Sequence, residues 1–380
     1  MKKDLLHTPE GVRDIYSTEC VEKKIIENRL HDVCKLYGYN DIQTPSIEYF
    51  DVFSKERGSV PSNEMFKLFD RYGNTLVLRP DMTPSIARAA AKYFEDRILP
   101  IKLCYVSNTF INVSKYYQGK LKESTAVGAE LIGDDSIDAD LEIISMVIDC
   151  MKNAGLEEFQ ISIGNVDFFQ SLIEESEIDD ETEERLRELI NNRNFFGADE
   201  LLEEADAKPV SRKAFSALSE MVGGVEILEE AKKVAPSKKA MKAIRRLEKI
   251  YAILSVYKME QYITFDLSMS GSYGYYTGII FQAYTYGTGE ALIKGGRYNQ
   301  LMKHFGKPAA SIGFAIVVDN LLMALSRQKI EMEGEEGVTV ITYRKENRIQ
   351  AIQKAKELRA QGRNVALRPE KVTKVCEVEL

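Results

Sequence analysis

The chain has 380 residues, of which 44% are hydrophobic and 29% charged, a size and composition typical of two or three domains with substantial cores. The 51 Lys and Arg residues against 59 Asp and Glu leave a formal net charge of −8, which disfavours a large nucleic-acid footprint because the surface as a whole repels phosphate. The sequence shows neither a signal-peptide core nor an apolar run long enough to cross a membrane, so we expect a cytoplasmic protein.

The composition also predicts that the chain has no metal site and no cofactor. Its three histidines, His7, His31 and His304, show no metal-ligand spacing. The cysteines are odd in number and lie far apart, which is typical of reduced thiols. They are Cys20, Cys34, Cys104, Cys150 and Cys376.

The N-terminal part of the chain alternates helical and strand patterns. Apolar residues at helical spacing from Val21 to Tyr37 predict a first helix, and Gly38 ends it. The stretches 66–69 and 76–78 flank a group of turn residues and predict a hairpin.

The same alternation continues beyond the hairpin. Pro84 opens a second helix, and the stretches 101–106 and 126–132 are apolar enough to be buried strands. Asp138 is expected to cap a third helix. Alternating apolar and polar residues at 159–163 then predict a half-buried strand.

The composition changes after this strand. Residues from about 168 to 257 are rich in Glu, Lys, Arg, Leu and Ala at helical spacing, which predicts a helical insertion. Strand and glycine patterns return at 263–281, and residues 338–367 predict a strand, a helix and a strand. We therefore expect one domain over residues 1–330, which includes the insertion, and a short α/β segment over residues 331–380.

Three clusters combine glycine, charge and aromatic residues more densely than core packing requires. In the first, Leu78–Pro84, a strand end delivers Arg79 and Asp81 to a turn that could present them to a ligand. The pattern alone slightly favours the alternative, in which Asp81 or Thr83 only caps the helix that Pro84 opens.

The other two clusters have equally plain alternatives. Tyr273–Gly278 surrounds glycines with tyrosines, which suits a small polar ring, but a hairpin with aromatic pairs is about as consistent. Lys294–Tyr298 lacks the spacing of known phosphate-binding loops. Carboxylates near Asp81 and Glu130 are either a catalytic pair, a polar pocket or two surface acids. The residues alone predict an α+β protein with a polar, tyrosine-lined pocket.

Eight segments that include these clusters follow one another in a recognisable order. They are Thr8–Asp14, Tyr37–Pro45, Leu78–Thr83, Leu103–Phe110, Gly119–Gly133, Tyr273–Phe281, Gly295–Tyr298 and Ile312–Ala315. In this order they resemble the class II aminoacyl-tRNA synthetase motifs of histidyl-tRNA synthetase and its paralogue, the regulatory subunit of ATP phosphoribosyltransferase. The resemblance covers about residues 5–325 and implies an antiparallel sheet flanked by helices, with a helical insertion and a shortened C-terminal segment.

Three departures from the synthetase pattern separate these two paralogues. Active synthetases of the family bind ATP through arginines at positions that here hold Ile111, Gly271 and Asn320. Loss of one such donor can cost about 100-fold or more in rate, so we expect adenylation to be absent. The chain beyond the body is also too short for the anticodon-binding domain, so we expect no tRNA binding.

The amino-acid pocket of the family is only partly retained. The positions that match histidine-contacting groups are Asp81, Thr83, Glu130, Tyr275 and Tyr276. Carboxylates there would pair with the ammonium or imidazole group of the ligand. Against this, Ala126 stands where glutamine is usual, and Ile111 removes an arginine near the ligand carboxylate. Histidine binding is a hypothesis that this pattern leaves open.

The resemblance as a whole implies a non-catalytic regulatory subunit. Such a subunit forms a homodimer and joins a short-form ATP phosphoribosyltransferase catalytic subunit, which condenses ATP with phosphoribosyl pyrophosphate in the first step of histidine biosynthesis. It activates that partner and relays histidine feedback. Two alternatives stay open: an active histidyl-tRNA synthetase with unusual ATP contacts, and a synthetase-like protein that serves another partner or amino acid.

Overall fold

The computed structural model describes residues 6–54, 60–94, 100–112, 121–271, 275–332 and 338–370. Four residues of the predicted motifs, Gly119, Lys120, Tyr273 and Gly274, and also Cys376, lie outside the described residues. Within the described ranges no helix is long and apolar enough to span a membrane.

The helices of the described residues are α1 (Ser17–Leu36), α2 (Thr83–Tyr93), α3 (Ile137–Asn153), α4 (Val166–Ser176), α5 (Asp180–Asn191), α6 (Phe195–Glu204), α7 (Pro209–Ala217), α8 (Ile227–Val234), α9 (Lys238–Val256), α10 (Asn299–His304), α11 (Val318–Gln328) and α12 (Arg348–Ala360). The strands are β1 (Asn40–Asp41), β2 (Ile47–Tyr49), β3 (Lys67–Phe69), β4 (Thr75–Leu78), β5 (Ile101–Phe110), β6 (Glu123–Ile132), β7 (Phe159–Asn165), β8 (Val222–Gly223), β9 (Ile263–Asp266), β10 (Ile279–Thr285), β11 (Ile293–Arg297), β12 (Ser311–Val317), β13 (Thr339–Tyr343) and β14 (Val365–Pro369).

Most strands join one nine-stranded sheet in the order β1-β5-β6-β12-β11-β10-β7-β9-β8. Its pairings are antiparallel except for β1 with β5 and β7 with β9. Helices α3, α9 and α11 pack against its strands. The predicted α+β class with a mainly antiparallel sheet is therefore confirmed.

A second, three-stranded sheet has the order β2-β4-β3. Strands β3 and β4 are antiparallel neighbours with Leu68 opposite Leu76, as the predicted hairpin requires. Because β4 leads into α2, this small sheet determines where the first charged cluster leaves the strand and enters the helix.

Contacts within the chain divide it into two units. One consists of residues 1–15 and 26–331, and the other of residues 16–25 and 332–380. In the second unit β13 and β14 form a parallel pair, with α12 between them in the sequence. A parallel pair needs a crossover connection, which α12 supplies.

The predicted insertion is a run of short helices from α4 to α9 with the two-residue strand β8 between α7 and α8. Polar side chains cap most of these helices and explain where they start. Asn165 accepts a hydrogen bond from the backbone N–H of Asp167, and Ser237 accepts one from Ala240. Such a cap satisfies an amide that the first helical turn leaves unpaired.

The N-cap of helix α3 lies two residues earlier than predicted. Ser136, not Asp138, is the N-cap, because its side-chain oxygen accepts a hydrogen bond from the Ala139 N–H at 3.2 Å. Asp138 lies in the first turn, where an acid is favoured by the positive end of the helix dipole. The predicted capping role of Asp138 is therefore wrong, although both residue types are typical of a helix start.

A buried ion network joins α3 to the insertion and to the sheet. The carboxylate of Asp140 accepts hydrogen bonds from Nε of Arg246 on α9 and Nε of Arg297 on β11, both at 2.6 Å. Arg297 also donates to the carbonyl oxygens of Asp134 and Ser136. Burial raises the pKa of Asp140, and the two guanidinium groups oppose that rise. Arg297 therefore donates its hydrogen bonds to a carboxylate and to carbonyl oxygens of the protein itself.

Candidate functional site

The five residues predicted to contact a ligand come from three places in the first unit. Asp81 and Thr83 lie at the turn between β4 and the start of α2, and Glu130 lies on β6. Tyr275 and Tyr276 precede β10. The structure links four of the five by hydrogen bonds, and the ring of Tyr276 lies 4.9 Å from that of Tyr275.

Glu130 is the central acid of the site and is only 1% exposed. Thr83 donates a hydrogen bond from its hydroxyl to Oε1 of Glu130 at 2.8 Å. Tyr298, at the end of β11, donates one to Oε2 at 2.6 Å. Each carboxylate oxygen therefore has one protein donor and retains capacity for a further donor from a ligand.

A glycine on the neighbouring strand makes room for this carboxylate. Gly313 on β12 is directly opposite Glu130 in the sheet register. A Cβ atom at Gly313 would lie 1.7 Å from Oε2 of Glu130 and 2.7 Å from the Ala129 carbonyl oxygen. No larger residue fits unless both the carboxylate and the Ala129 backbone move, so the glycine of the Ile312–Ala315 motif has a steric role in the site.

Burial dominates the electrostatics of Glu130. It raises the pKa of the carboxyl group from 4.5 to about 8, the hydroxyls of Tyr298 and Thr83 lower it, and the charge of Asp81 adds to the rise. At neutral pH the group is therefore mostly protonated in the absence of a ligand. A cationic ligand would favour the ionised form, since an opposite charge lowers the pKa of a carboxyl group.

Asp81 is the second acid of the site and is partly exposed. Tyr275 donates a hydrogen bond from its hydroxyl to Oδ2 of Asp81 at 3.0 Å, and the backbone N–H of Thr83 donates to Oδ1 at 3.3 Å. The capping alternative is wrong, because Met82, and not Asp81 or Thr83, is the N-cap of α2, and its side chain makes no capping hydrogen bond. Oδ2 of Asp81 faces the tyrosines. The rings of Tyr275 and Tyr298 meet edge to face at 6.4 Å.

Two tyrosines that the sequence did not single out as ligand contacts also belong to this site. Tyr298 is fully buried against Glu130, and the only sequence signal for it is its place after the glycines of β11. Tyr105 on β5 has a buried hydroxyl with no hydrogen-bond partner among the described residues. The charges of Glu130 and Asp81 both act on its pKa, which burial raises well above its ordinary value.

Tyr105 lies over Gly128, its register partner on β6. A Cβ atom at Gly128 would lie 2.4 Å from the tyrosine hydroxyl and 2.2 Å from the Phe314 carbonyl oxygen. A buried hydroxyl without a partner is costly, and such groups are rare in folded proteins. The site therefore contains a donor that no group of the described residues uses.

Arg79 does not belong to the ligand-binding side of the first cluster. It is 4% exposed. Its guanidinium donates from Nη1 to the Thr44 carbonyl oxygen at 2.7 Å and from Nε to the Asn108 carbonyl oxygen at 2.8 Å. The interpretation that the turn presents Arg79 to a ligand is wrong, because backbone carbonyls occupy its donors.

In the third cluster, Lys294–Tyr298, Arg297 likewise has a structural role. Gly295, Gly296 and Arg297 form β11 in the middle of the sheet, and Arg297 is bound to Asp140. A phosphate-binding loop needs free backbone N–H groups, whereas these pair with the adjacent strands.

The four positions that depart from the synthetase pattern have separate environments. Ile111 follows β5 and its N–H binds the Lys122 carbonyl oxygen at 2.9 Å. Asn320 lies in the first turn of α11, and Ala126 on β6 is buried with the hydrophobic cluster that contains Tyr275 and Tyr298. None of these three side chains can supply a guanidinium group.

Gly271 lines a polar pocket next to the insertion. Arg193, which also lines this pocket, donates to the Ser268 hydroxyl at 2.7 Å and forms an ion pair with the buried carboxylate of Asp266. The positive charge beside Gly271 is thus neutralised by a protein acid.

Comparison with known proteins identifies similar chains. A family model described as histidyl-tRNA synthetase matches residues 11–321. A protein of Acetivibrio thermocellus named ATP phosphoribosyltransferase regulatory subunit is 40% identical over 360 residues, which are 94% of this chain and 85% of that protein.

Solved structures are similar over nearly the whole chain. One from Bacillus halodurans, described as an ATP phosphoribosyltransferase regulatory subunit/histidyl-tRNA synthetase, has a TM-score of 0.88 and 33% identity, with 98% of this chain and 95% of that chain covered. The histidyl-tRNA synthetase of Nostoc has a TM-score of 0.80 at 19% identity, with 97% and 87% covered. The second similarity concerns the fold alone.

Proposed function

Since this chain belongs to the histidyl-tRNA synthetase family and, within it, to the ATP phosphoribosyltransferase regulatory subunits, we propose that it is the non-catalytic regulatory subunit of that transferase. It then acts in the first step of histidine biosynthesis by activating a separate catalytic subunit. The proposal is supported by the acid-and-tyrosine site around Glu130, in a chain that has Ile111, Gly271 and Asn320 where the resemblance implies ATP-binding arginines.

The absence of aminoacylation is the first part of the proposal. Ile111, Gly271 and Asn320 offer no charge to the α-phosphate of ATP, and the nearby Arg193 is bound to Asp266. Preorganised positive charge is the main means by which such sites stabilise a phosphoryl transition state, so its loss removes the chemistry and not only the affinity.

We therefore expect no histidine-dependent exchange of labelled pyrophosphate into ATP by the purified chain. An active histidyl-tRNA synthetase, assayed at the same concentration, is the positive control. Exchange above the background measured without histidine would instead support the alternative of an active synthetase with unusual ATP contacts.

The second part of the proposal concerns the partner. The chain forms a homodimer, works in the cytoplasm, and joins a short-form ATP phosphoribosyltransferase catalytic subunit without binding tRNA. The domain boundaries that we propose are 1–330 for the synthetase-like body with its insertion and 331–380 for the C-terminal segment.

Reconstitution tests the partnership directly. We expect the short-form catalytic subunit alone to form phosphoribosyl-ATP poorly, and addition of this chain to raise its rate and to co-elute with it. Histidine should then lower the rate only in the complex, by a factor of about 5 to 150, the usual range for coupling between sites. A catalytic subunit that is fully active alone and unaffected by the chain would contradict the proposal.

Histidine is the proposed ligand of the Glu130 site. The partly exposed Asp81 can bind an ammonium group, and the buried Glu130 can accept an N–H from the imidazole or ammonium group. The unused hydroxyl of Tyr105 adds a donor or acceptor. Ala126 and Ile111 weaken the contacts to the rest of the ligand, so the affinity depends on the two acids.

A further inference from the structure

A second cluster of ligand-type side chains lies where the end of α1 meets the edge of the large sheet. Nε2 of His31 lies 2.5 Å from Oδ1 of Asp41, and the thiol of Cys104 lies 3.7 Å from the same oxygen. The three ligand atoms all lie within 4.8 Å of one another. None of these residues belongs to the Glu130 site.

Backbone geometry holds the three residues together. Asp41 on β1 and Cys104 on β5 are direct partners in the parallel strand pairing. His31 comes from α1, so three different elements contribute one ligand each. Residues on rigid elements hold a metal more accurately than residues on loops.

The donor set matches a borderline divalent transition metal. Zinc binds imidazole nitrogen, thiolate sulfur and carboxylate oxygen at about 2.0–2.3 Å, which separates neighbouring ligand atoms by about 3–4 Å in a tetrahedron. The His31 and Asp41 atoms would have to separate slightly to admit the ion. The carboxyl side of the cluster is open to solvent, since the Asp41 side chain is 62% exposed, so water can fill the fourth position.

The surroundings also contain a group suited to the outer shell of such a site. Nζ of Lys35, one helical turn after His31, donates to Oδ2 of Asp41 at 2.9 Å and leaves Oδ1 facing the histidine and the thiol. Carboxylates that bind metals are commonly held by a hydrogen bond to their other oxygen. The positive charge of Lys35 lowers the affinity for the ion but does not occupy its place.

We propose that His31, Asp41 and Cys104 form a zinc-type metal site that joins the end of α1 to the β1–β5 edge of the sheet. Binding replaces the thiol proton of Cys104 by the metal ion and releases that proton to solvent. Because the metal ion displaces this proton, the affinity increases with pH. The site is independent of the proposed regulatory role.

Cobalt(II) titration of the full-length, tag-free chain tests this proposal. We expect one ion per chain and a near-ultraviolet thiolate-to-cobalt charge-transfer band, displaced by zinc. Zinc should also raise the melting temperature, because a ligand that binds only the folded state stabilises it. Cys104→Ser should remove the band, and His31→Gln should weaken binding by at least about 10-fold.

Two features of the experiment make it decisive. Cys150→Ser is the matched control, because it removes another fully buried thiol outside the cluster, and it should leave the band intact. His31→Gln changes a partly exposed residue and remains informative if Cys104→Ser fails to fold. The absence of a charge-transfer band in the parent chain, or a band of unchanged affinity in His31→Gln, would overturn the proposal.

Discussion

Glu130→Gln is expected to make the chain more stable and, at the same time, unable to bind histidine tightly. Glutamine reproduces the shape of the protonated carboxyl group that burial favours, and it can still accept one of the hydroxyl hydrogen bonds from Thr83 and Tyr298. The substitution removes a group that carries a buried negative charge when it ionises, and such a charge is costly away from water.

The stability gain should depend on pH in a defined direction. The folded pKa of Glu130 lies above its ordinary value, about 8 against 4.5, so the parent chain is most stable with respect to this group below pH 4.5. That contribution is lost as the pH rises from 4.5 to about 8, at about 1.4 kcal/mol for each pH unit. The variant avoids this loss, and its advantage in unfolding free energy should reach roughly 4 to 5 kcal/mol at about pH 9.

Denaturant unfolding at several pH values measures this difference, and Glu123→Gln provides the control. Glu123 lies on the same strand, β6, but is exposed, so its replacement should give no advantage that grows with pH. A Glu130→Gln chain whose stability follows the pH profile of the parent would show that the buried carboxyl group titrates normally.

The same variant tests the proposed ligand. Calorimetry should show that the parent chain binds histidine more tightly as the pH approaches 8, with a proton released, because the cationic ligand needs the ionised carboxylate. Glu130→Gln should bind roughly 10- to 100-fold more weakly, the usual cost of losing a charged hydrogen bond. Equal binding by both chains would show that histidine does not bind at Glu130. The proposed regulatory role would not be affected by that result.

Asp140→Asn is expected to cause the largest loss of stability. The change leaves Arg297, which is 2% exposed, without its buried carboxylate partner, although the exposed carboxylate of Asp135 stays 3.4 Å away. It also breaks the contact to Arg246 from the insertion. Removing one partner of a buried ion pair typically costs about 3 to 5 kcal/mol, because the remaining charge stays desolvated. Thermal and urea unfolding should both show the loss.

Asp138→Asn is the matched control for this experiment. It removes an acid from the same first turn of α3, but an exposed one, so only the interaction with the helix dipole is lost. That interaction is worth about 0.3 to 1 kcal/mol and is screened by salt, whereas the effect at Asp140 should persist at high salt. Similar losses in the two variants would mean that the buried network contributes little beyond the dipole.

The periodic elements could be predicted from the sequence because their patterns are local. The helices of the insertion, the β3–β4 hairpin and the terminal strand–helix–strand order each depend on residues close together in the chain. The two-residue strands β1 and β8 could not be predicted in this way, because they have no period and exist only through their partners β5 and β9.

The sequence pattern predicted which residues of the site lie close together, but not which charged side chains are bound within the fold. The motif order correctly grouped Thr83 with Glu130 and Asp81 with Tyr275, although 47 and 194 positions separate the members of these pairs. A one-dimensional pattern does not show which carbonyls face an arginine. For that reason the pattern could not show that Arg79, which the first cluster places next to Asp81, is structural.

The contacts of Arg79 also protect the sheet against unwanted growth. Strand β5 is ten residues long, but β1 pairs only with Leu103 and Cys104, so most of its outer edge would be open to another strand. There, the Asn108 carbonyl oxygen is bound by the Arg79 side chain, and the Phe110 N–H is bound by the Arg79 carbonyl oxygen. Backbone groups that are already paired cannot template edge-to-edge aggregation. An arginine that resembles a ligand-binding group thus pairs part of a strand edge that would otherwise be open.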